Sequence, residues 1–287
     1  MYPDAPVYTS FVDYGSLGPH AERIKKWNIV ESPFGRTWLM KKFHSPLRFL
    51  APWVWNSFDF SEFDVVISSS GWYMSRGINV QKPTIHICYI HHPPRHLYGY
   101  QTAMDWQKYW IIRVYAALVN HFLRIYDYNT AQKVDYFIAN SEETRRRVQK
   151  FYRRDAEVIY PPVTLANSKQ SIVNSNKSKE KYFLVVSRLA RAKHIDLAIK
   201  ACQELGEKLV VVGKGREENF LKELANKKPG FVEFYGEVSD EELPKIYTGA
   251  KALIFPAQDE EFGIVPVEAM GYGVPVLALR SGGLPET

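Results

Sequence analysis

The segment FPAQDEEFGIVPVEAMGYGVPVLALRSGGLPE, residues 255–286, begins where one apolar run ends and contains a second, VPVLAL. Within it Glu260 and Glu268 form an E-x7-E pattern, and a helix is expected to open near Pro266. Glycine lets a backbone approach a ligand closely, and a helix N-terminus presents free N–H groups. The pattern therefore predicts an anion-binding turn, whose candidate binding residues are Gly263, Ile264 and Val265.

The two glutamates suggest recognition of hydroxyl groups. Glu260 is expected in the loop over a strand end, and Glu268 on the first turn of the helix. Two carboxylates at this spacing can each accept a pair of hydrogen bonds from sugar hydroxyls. A plainer interpretation makes Glu268 a favourable charge on the helix dipole and Glu260 a solvated loop acid. The spacing alone leaves both interpretations open.

Strand and helix patterns alternate through residues 181–287. The predicted strands are KYFLVVSRL, KLVVVGKG, GFVEFYGEV, KALIFPA and VPVLAL, and the predicted helices are HIDLAIKACQEL, ENFLKELANK, SDEELPKIYTGA and VPVEAMGYG. Such alternation is typical of βαβ units with a parallel sheet. Pro244 limits the third helix to a start near it. We expect this α/β domain to bind its ligand at the carboxyl ends of its strands.

Two further groups of residues follow predicted strands in this domain. Arg188 and Lys193 lie at a strand end and in the next loop, where cations can neutralise an anionic leaving group. As isolated basic residues they would more often be solvated charges. Gly213 and Gly215 form a GxG after the second strand, but Glu218 stands where the dinucleotide fingerprint needs its third glycine.

The polar segment 167–180, rich in Ser, Asn and Lys, predicts a linker between domains at 1–166 and 181–287. In the first domain FDVVISSS, TIHICYIHHP and VDYFIANS read as strands buried on both faces of a parallel sheet. The apolar stretch from Tyr109 to Leu123 is too short to span a membrane and contains Arg113, which predicts a buried helix.

Charge and cysteine content limit the possible partners and the compartment. Residues 1–166 contain 20 Lys and Arg against 14 Asp and Glu, whereas residues 167–287 contain 17 of each kind. The basic half predicts an anionic partner, with phosphorylated lipids, membrane surfaces and nucleic acid as the candidates. The plainer interpretation is an ordinary variable surface. Cys88 and Cys202 lie in apolar runs and predict buried thiols in a reducing compartment. We expect a cytoplasmic protein, with peripheral association at the inner face of the cell membrane as a further expectation.

The segment quoted first resembles glycosyltransferase family 4, the retaining enzymes of the GT-B fold. The elements that carry the resemblance are E-x7-E with F-G inside it, E-A-M, G-x-P-V and the final G-G-x-x-E. The resemblance implies two Rossmann-like doubly wound domains facing a cleft. It also implies that Glu260 contacts the donor sugar and that Glu268 holds the nucleotide ribose. Arg188 and Lys193 match the family's R-x4-K pair, which neutralises the leaving diphosphate.

Other segments extend the resemblance. The Gly213 and Gly215 pair is similar to one that lines the donor cleft, and Gly236 to Val238 resemble the segment near the nucleotide base. HICYIHHPPRHLYGY resembles a subgroup that transfers mannose and related sugars to lipid-linked precursors. There His91 matches a histidine facing the donor sugar, and Arg95 matches a basic residue four positions on and is a candidate donor-binding residue. A plainer interpretation is that histidines before Pro-Pro cap a strand. His92 departs from the pattern, which has Thr at that position.

The resemblance implies that both domains are incomplete, without the first βα unit and without the last helices of the donor domain. It predicts a hexosyltransferase that uses a GDP- or UDP-linked hexose, with mannose as the leading sugar, for polysaccharide or cell-envelope glycan synthesis. No metal and no cofactor beyond the donor are expected, and no nucleic-acid partner. Two alternatives remain: a non-catalytic nucleotide-sugar-binding or membrane-associated scaffold of the same fold, and an NAD-dependent enzyme, which the missing glycine disfavours.

Overall fold

The computed structural model describes residues 4–18, 21–44, 46–100, 102, 110–165 and 181–287. Its contacts divide the chain into two compact units. Unit 1 comprises Met1–Tyr98, Gln107–Ala139 and Arg145–Glu157, and unit 2 comprises Gly99–Trp106, Asn140–Thr144 and Val158–Thr287. The predicted linker at 167–180 lies outside the described residues, so the predicted domain boundaries stay a prediction.

Residues up to Val158 form a small parallel strand pair and a four-stranded sheet. The strands are β1 (Val7–Thr9), β2 (Ile29–Glu31), β3 (Val65–Ser70), β4 (Ile85–Ile90), β5 (Tyr136–Ala139) and β6 (Glu157–Val158). The helices are α1 (Ala21–Ile24), α2 (Trp38–Phe43), α3 (Ala51–Asn56), α4 (Trp110–Lys133) and α5 (Glu142–Tyr152). β1 pairs with β2, and the larger sheet has the order β3-β4-β5-β6. The three strands predicted from the sequence of this region are confirmed.

Among the described residues, helices cover one face of the larger sheet of unit 1. Side chains of β4 and β5, including Cys88 and Phe137, pack with residues of α4 and α5. On the opposite face Ile67 and Tyr136 are 64% and 63% exposed. The prediction that these strands are buried on both faces is therefore wrong. Within the described residues, alternate side chains along β3 to β5 are exposed or half-buried.

α4 departs from its prediction in a similar way. Tyr109 lies outside the described residues, and the rest of the predicted stretch, from Trp110 to Leu123, lies in α4. Among the described residues, α4 is buried along one stripe. Leu123 is buried in that stripe, whereas Leu118 and Phe122 are exposed. Neighbouring elements that pack on one side of a helix bury only part of its circumference. An apolar sequence alone therefore does not show that a helix is buried on all sides. Among the helices of the described residues, none has the length and apolar character needed to cross a membrane.

Residues from Tyr182 onward form a five-stranded sheet with intervening helices. The strands are β7 (Tyr182–Val186), β8 (Leu209–Val212), β9 (Val232–Gly236), β10 (Ala250–Phe255) and β11 (Val276–Ala278). The helices are α6 (Ile195–Leu205), α7 (Glu218–Ala225), α8 (Leu243–Gly249) and α9 (Ile264–Gly271). The predicted alternation is confirmed, and Pro244 lies in the first turn of α8 as expected.

This second sheet is covered on both faces. One hydrophobic cluster joins Leu184 and Leu253 to side chains of α8 and α9. A second cluster joins Val185 and Val211 to side chains of α6 and α7. Both cysteines of the chain are buried free thiols, as predicted.

The strand order of the second sheet indicates at which edge, and between which strands, a ligand would bind. Neighbouring strands are parallel, so their carboxyl ends lie along one edge. The order is β11-β10-β7-β8-β9. The chain runs outward from β7 to β9 and then returns to the other side of β7 with β10. Sheets of this kind bind ligands where the winding direction reverses, which here is between β7 and β10. The predicted α/β fold class with parallel sheets is confirmed.

Candidate functional site

The loops that follow β7 and β10 bring Lys193 and Glu260 together. Lys193 ends a short 3-10 turn, Arg191–Lys193, and its Nζ lies 2.6 Å from Oε2 of Glu260. The two side chains are only 20% and 19% exposed. An ion pair that is partly withdrawn from water is screened less than one on the open surface. Two candidates 67 residues apart in the sequence thus form one charged centre at the reversal point of the sheet.

Arg188 lies in the same loop region, exposed just beyond the end of β7. The two predicted glycines pack against this loop. A Cβ on Gly213 would lie 2.0 Å from the carbonyl oxygen of Ser187, and a Cβ on Gly215 would lie 2.1 Å from that of Leu189. No side chain fits at such distances. The glycine pair therefore permits the close backbone packing that fixes the loop of Arg188.

The Glu260 loop is held by the glycines of the final G-G-x-x-E motif. A Cβ on Gly282 would lie 2.2 Å from the carbonyl oxygen of Glu260, and the N–H of Gly283 donates to that same oxygen at 2.8 Å. Asp259, at φ 55°, donates its N–H to Oγ of Ser281 at 3.1 Å. Sequence reasoning identifies this motif but misses its role as the support of the Glu260 loop.

α9 begins directly after this loop. Gly263 has φ 100°, in the left-handed region that favours glycine. A Cβ there would also lie 2.7 Å from Cδ2 of Leu284. Ile264 opens the helix and is exposed, whereas Val265 packs against the hydrophobic cluster of α8 and α9. The turn that was predicted to bind the donor is present, and its binding role stays a prediction.

Glu268 lies in the second turn of α9, not in the first turn as predicted. This position weakens the helix-dipole interpretation, because the effect of the dipole falls off within the first turn. Oε2 of Glu268 accepts a hydrogen bond from the hydroxyl of Tyr247 at 3.0 Å. Burial raises the pKa of the Glu268 carboxyl, and the hydrogen bond from Tyr247 opposes that rise.

Tyr247 is a residue that sequence reasoning misses. It lies on α8, its side chain is fully buried, and it is 21 residues from Glu268 in the sequence. The pattern of α8 marks it only as a core position. A buried tyrosine hydroxyl usually needs a hydrogen-bond partner, and this need was the signal in the sequence that could have pointed to Tyr247. The sequence does not show that the partner is Glu268.

The residues predicted to lie near the nucleotide base follow β9. Gly236 ends this strand with φ 69°. Val238 is half-buried and packs against the cluster formed with α8 and α9. The packing gives Val238 a structural role, and the contact of this segment with the base stays a prediction.

Glu286, the last residue of the G-G-x-x-E motif, caps a helix. Its carboxylate accepts hydrogen bonds from the N–H groups of Glu142 and Glu143 at 2.6 and 2.7 Å. Asn140–Thr144 belong to unit 2, like Glu286 itself. A carboxylate at this position satisfies N–H groups that have no partner within the helix.

Two predicted residues, His91 and Arg95, lie in unit 1 after β4. His91 is exposed, and its Nε2 lies 2.8 Å from Oγ of Ser69 on β3. Arg95 is half-buried in the 3-10 turn Arg95–Leu97. Ser69 orients the imidazole, which the sequence did not indicate. Among the described residues, no group of three or more His, Cys, Asp or Glu is arranged to hold a metal ion.

Family models match both parts of the chain. Residues 167–287 match the model Glycosyl transferases group 1. Residues 11–167, more than half of the chain, match the model Glycosyltransferase Family 4.

The chain belongs to glycosyltransferase family 4.

This family 4 chain is similar to curated proteins over part of their length. It is 30% identical over 199 residues to the alpha-1,3/1,6-mannosyltransferase ALG2 of Kluyveromyces lactis, covering 53% of the chain and 40% of that protein. It is 27% identical over 164 residues to the GtfA subunit of the UDP-N-acetylglucosamine–peptide N-acetylglucosaminyltransferase of Streptococcus pneumoniae, covering 53% and 31%. The chain thus spans less than half the length of these two relatives.

Solved structures share the fold of this family 4 chain. Sucrose-phosphate synthase from Thermosynechococcus elongatus gives a TM-score of 0.58 at 18% identity, covering 91% of the chain and 67% of that protein. WaaG, a glycosyltransferase involved in lipopolysaccharide biosynthesis, gives 0.57 at 17% identity, covering 99% and 74%. Likeness at this identity establishes the fold alone, and the predicted GT-B fold is confirmed.

Proposed function

We propose that this protein is a retaining glycosyltransferase that moves a hexose from a nucleotide-diphosphate sugar to a saccharide or lipid-linked acceptor. The observation that carries the proposal is the Lys193–Glu260 pair at the reversal point between β7 and β10. A cation there suits the phosphates of a nucleotide sugar, and a carboxylate suits its hydroxyl groups. The arrangement thus offers both kinds of partner that such a donor needs, at the edge where parallel sheets bind ligands.

We assign the leaving group to the cations. When the bond between the anomeric carbon and the diphosphate oxygen breaks, negative charge accumulates on the diphosphate. Arg188 and Lys193 offset this charge, and such preorganised partners stabilise a transition state more than a ground state. Glu260 accepts hydrogen bonds from hydroxyls of the transferred sugar. A diphosphate that enters the site competes with Glu260 for Lys193, so donor binding rearranges the pair.

We assign Glu268 to the ribose hydroxyls of the donor. Tyr247 holds one carboxylate oxygen, which fixes the orientation of the group and leaves other lone pairs for the ligand. The half-buried position strengthens such hydrogen bonds relative to those made in water. From unit 1 we assign His91 to the donor sugar and Arg95 to donor binding, on the family resemblance alone.

We propose front-face substitution as the reaction. The acceptor oxygen forms its bond to the anomeric carbon on the face that the diphosphate leaves, and the acceptor proton passes to a diphosphate oxygen. Orientation and charge stabilisation supply the catalysis. The scheme requires no metal, so donor turnover should be the same with and without EDTA. A loss of turnover in EDTA that magnesium restores would overturn this part of the scheme.

We propose GDP or UDP as the nucleotide and mannose as the first sugar to test. The HICYIHHPPRHLYGY segment supports mannose, and so does the similarity to a relative named as a mannosyltransferase. A relative named for UDP-N-acetylglucosamine supports including UDP donors. The acceptor is proposed to lie at an anionic membrane surface, because the excess of basic residues falls entirely within residues 1–166. Polysaccharide or cell-envelope glycan synthesis is the corresponding process.

The test combines binding and turnover. GDP, UDP and NAD are titrated against the protein while its melting temperature is measured, because a ligand that binds the native state raises stability. Release of GDP or UDP from GDP-mannose, UDP-glucose and UDP-N-acetylglucosamine is then measured. Stabilisation by GDP or UDP together with release supports the transferase. Nucleotide binding without turnover supports the scaffold alternative, and stabilisation by NAD alone overturns the proposal.

A further inference from the structure

An apolar stripe runs along the solvent side of α4. Its members share high exposure and helical spacing: Ile111, Val114, Leu118, Phe122 and Ile125. Steps of three and four residues place side chains on one side of a helix. The buried residues of α4 occupy a different side and include Ala116, Asn120, Leu123 and Asp127. Within the part of the chain that the structure describes, α4 therefore has one packed face and one exposed apolar face.

A groove extends this stripe toward α3. It has a volume of about 490 Å³ and is lined by apolar and aromatic side chains, Phe49, Pro52, Trp53, Tyr115, Val119, Phe122, Leu123 and Tyr126. Nη2 of Arg48 donates to Oδ1 of Asn120 at 3.0 Å, which ties the two sides of the groove together. We call the stripe and the groove together the α3–α4 surface. It is continuous because Phe122 belongs to both parts.

The segments that form and flank this surface are basic. Residues 32–58 and 110–126 together contain six Lys or Arg and no Asp or Glu. Lys41, Lys42 and Arg113 are exposed. Soluble monomers rarely leave a contiguous apolar patch of this kind uncovered. An apolar stripe with aromatic residues and flanking cations is typical of helices that lie in a membrane interface.

We propose that the α3–α4 surface inserts into the headgroup region of an anionic lipid bilayer, with α4 lying along the membrane plane. The inference rests on the proposed function and deepens it, since it names the face by which the protein reaches a lipid-linked acceptor. The cations attract lipid phosphates, and the aromatic side chains Trp53 and Phe122 enter the boundary between headgroups and acyl chains. This charge complementarity favours an anionic bilayer over a second copy of the chain.

The main test is co-sedimentation with vesicles. The protein should sediment with vesicles of equal parts phosphatidylcholine and phosphatidylglycerol and much less with pure phosphatidylcholine. The double variant L118S/F122S should partition at least about tenfold more weakly. Ile67→Ser is the matched control, because Ile67 is 64% exposed and Leu118 is 62% exposed, but Ile67 lies on the open sheet face outside the α3–α4 surface. The control should bind like the parent.

Insertion is separated from charge attraction by two further measurements. Bromine-labelled lipids should quench tryptophan fluorescence of the parent, and much less that of L118S/F122S. The variant K41Q/K42Q should bind anionic vesicles more weakly than the parent does. Added salt should weaken its binding less than that of the parent, because exposed charges are screened beyond about 8 Å at physiological ionic strength. If L118S/F122S does not fold, K41Q/K42Q and the quenching of the parent protein carry the test.

Several outcomes would overturn the inference. One is equal sedimentation of the parent and of a folded L118S/F122S, and another is no preference of the parent for anionic vesicles. A parent dimer in light scattering that L118S/F122S abolishes, without vesicle binding, would assign the surface to a second copy. Nucleotide binding and donor hydrolysis are measured without vesicles and should not change in L118S/F122S. If the parent binds vesicles but no nucleotide, the proposed function fails while the membrane surface stands.

Discussion

Glu260, in the loop after β10, and Glu268, on α9, are the two motif carboxylates of unit 2, and their partners differ in charge. Glu260 faces the cation Lys193 at 2.6 Å, whereas Glu268 faces the neutral hydroxyl of Tyr247 at 3.0 Å. Burial raises the pKa of Glu268 with only that hydroxyl to oppose it. An ion pair can open when a diphosphate competes for the cation, but a hydrogen bond to a buried tyrosine stays in place. The Lys193–Glu260 pair therefore suits a step in which charge develops on the ligand. The Tyr247–Glu268 hydrogen bond suits holding a carboxylate in a fixed orientation.

The largest expected effect comes from breaking the charged arrangement. Lys193→Ala removes a cation that offsets leaving-group charge and leaves Glu260 without its partner. We expect turnover to fall about 100-fold or more, with a smaller rise in apparent KM, since the charge develops in the transition state. Steady-state donor hydrolysis measures both. Arg188→Ala should act in the same direction.

Lys200→Ala is the matched control for this experiment. Lys200 also forms an ion pair at 2.9 Å, with Asp196, but on the exposed surface of α6. Surface ion pairs of this kind contribute little to folding stability. Turnover of Lys200→Ala should therefore stay within about twofold of the parent. A rate for Lys193→Ala that is equally close to the parent would contradict the leaving-group assignment.

Glu260→Gln tests the other side of the same pair. The amide keeps the size of the side chain but is neutral, so the hydrogen bonds that it accepts are weaker than those of a carboxylate. Turnover should therefore fall by about 10-fold or more. Affinity for free GDP or UDP should stay unchanged or rise, because Lys193 is then available to the diphosphate. Calorimetric titration measures the affinity, with Glu261→Gln in the same loop as control. If nucleotide affinity falls as far as turnover does, Glu260 does not act on the sugar.

Glu268→Ala should weaken nucleotide binding more than it lowers turnover, the reverse of Glu260→Gln. Loss of charged hydrogen bonds to the ribose should weaken GDP or UDP binding by about 1–3 kcal/mol. Turnover at saturating donor should fall less than it does in Glu260→Gln. Glu268→Gln keeps one acceptor oxygen and should lose less affinity than Glu268→Ala. Nucleotide affinities equal to that of the parent in both variants would refute the ribose assignment.

The smallest effect is expected from Tyr247→Phe, which removes only the neutral partner. Nucleotide affinity at neutral pH should fall by about 0.5–1.5 kcal/mol. The hydroxyl lowers the pKa of Glu268, so its removal raises that pKa further. Because the ionised carboxylate binds the ligand, affinity is lost as the pH falls through this pKa. In the variant that loss should begin at a higher pH than in the parent.

Tyr182→Phe controls for simple destabilisation. Its hydroxyl donates to the carbonyl oxygen of Ile246 at 2.9 Å, whereas the hydroxyl that donates to Glu268 is that of Tyr247. This variant should melt at a lower temperature without moving the pH profile of nucleotide binding. If Tyr182→Phe and Tyr247→Phe shift that profile equally, Tyr247 does not position Glu268.

The sequence predicted unit 2 better than unit 1. Each strand and helix predicted within residues 181–287 is present, and the central strands β7 and β8 are packed between helices on both faces. At the edge of this sheet, Leu277 on β11 is 55% exposed. In unit 1 the same apolar patterns occur in α4 and β3, yet Leu118 and Ile67 are exposed. An apolar residue reports a tendency to avoid water, but whether another element covers it depends on the packing of distant segments.

Within the candidate site, the sequence by itself determined which residues carry charge and where the backbone must turn. The motif glutamates, the cations Arg188 and Lys193, and the glycines after strand ends are all local patterns. Only the tertiary structure decided their partners. The order β11-β10-β7-β8-β9 places Lys193 beside Glu260, and the packing of α8 against α9 places Tyr247 beside Glu268. The physical reason is that local patterns fix strands and helices, whereas long-range burial decides which strands become neighbours.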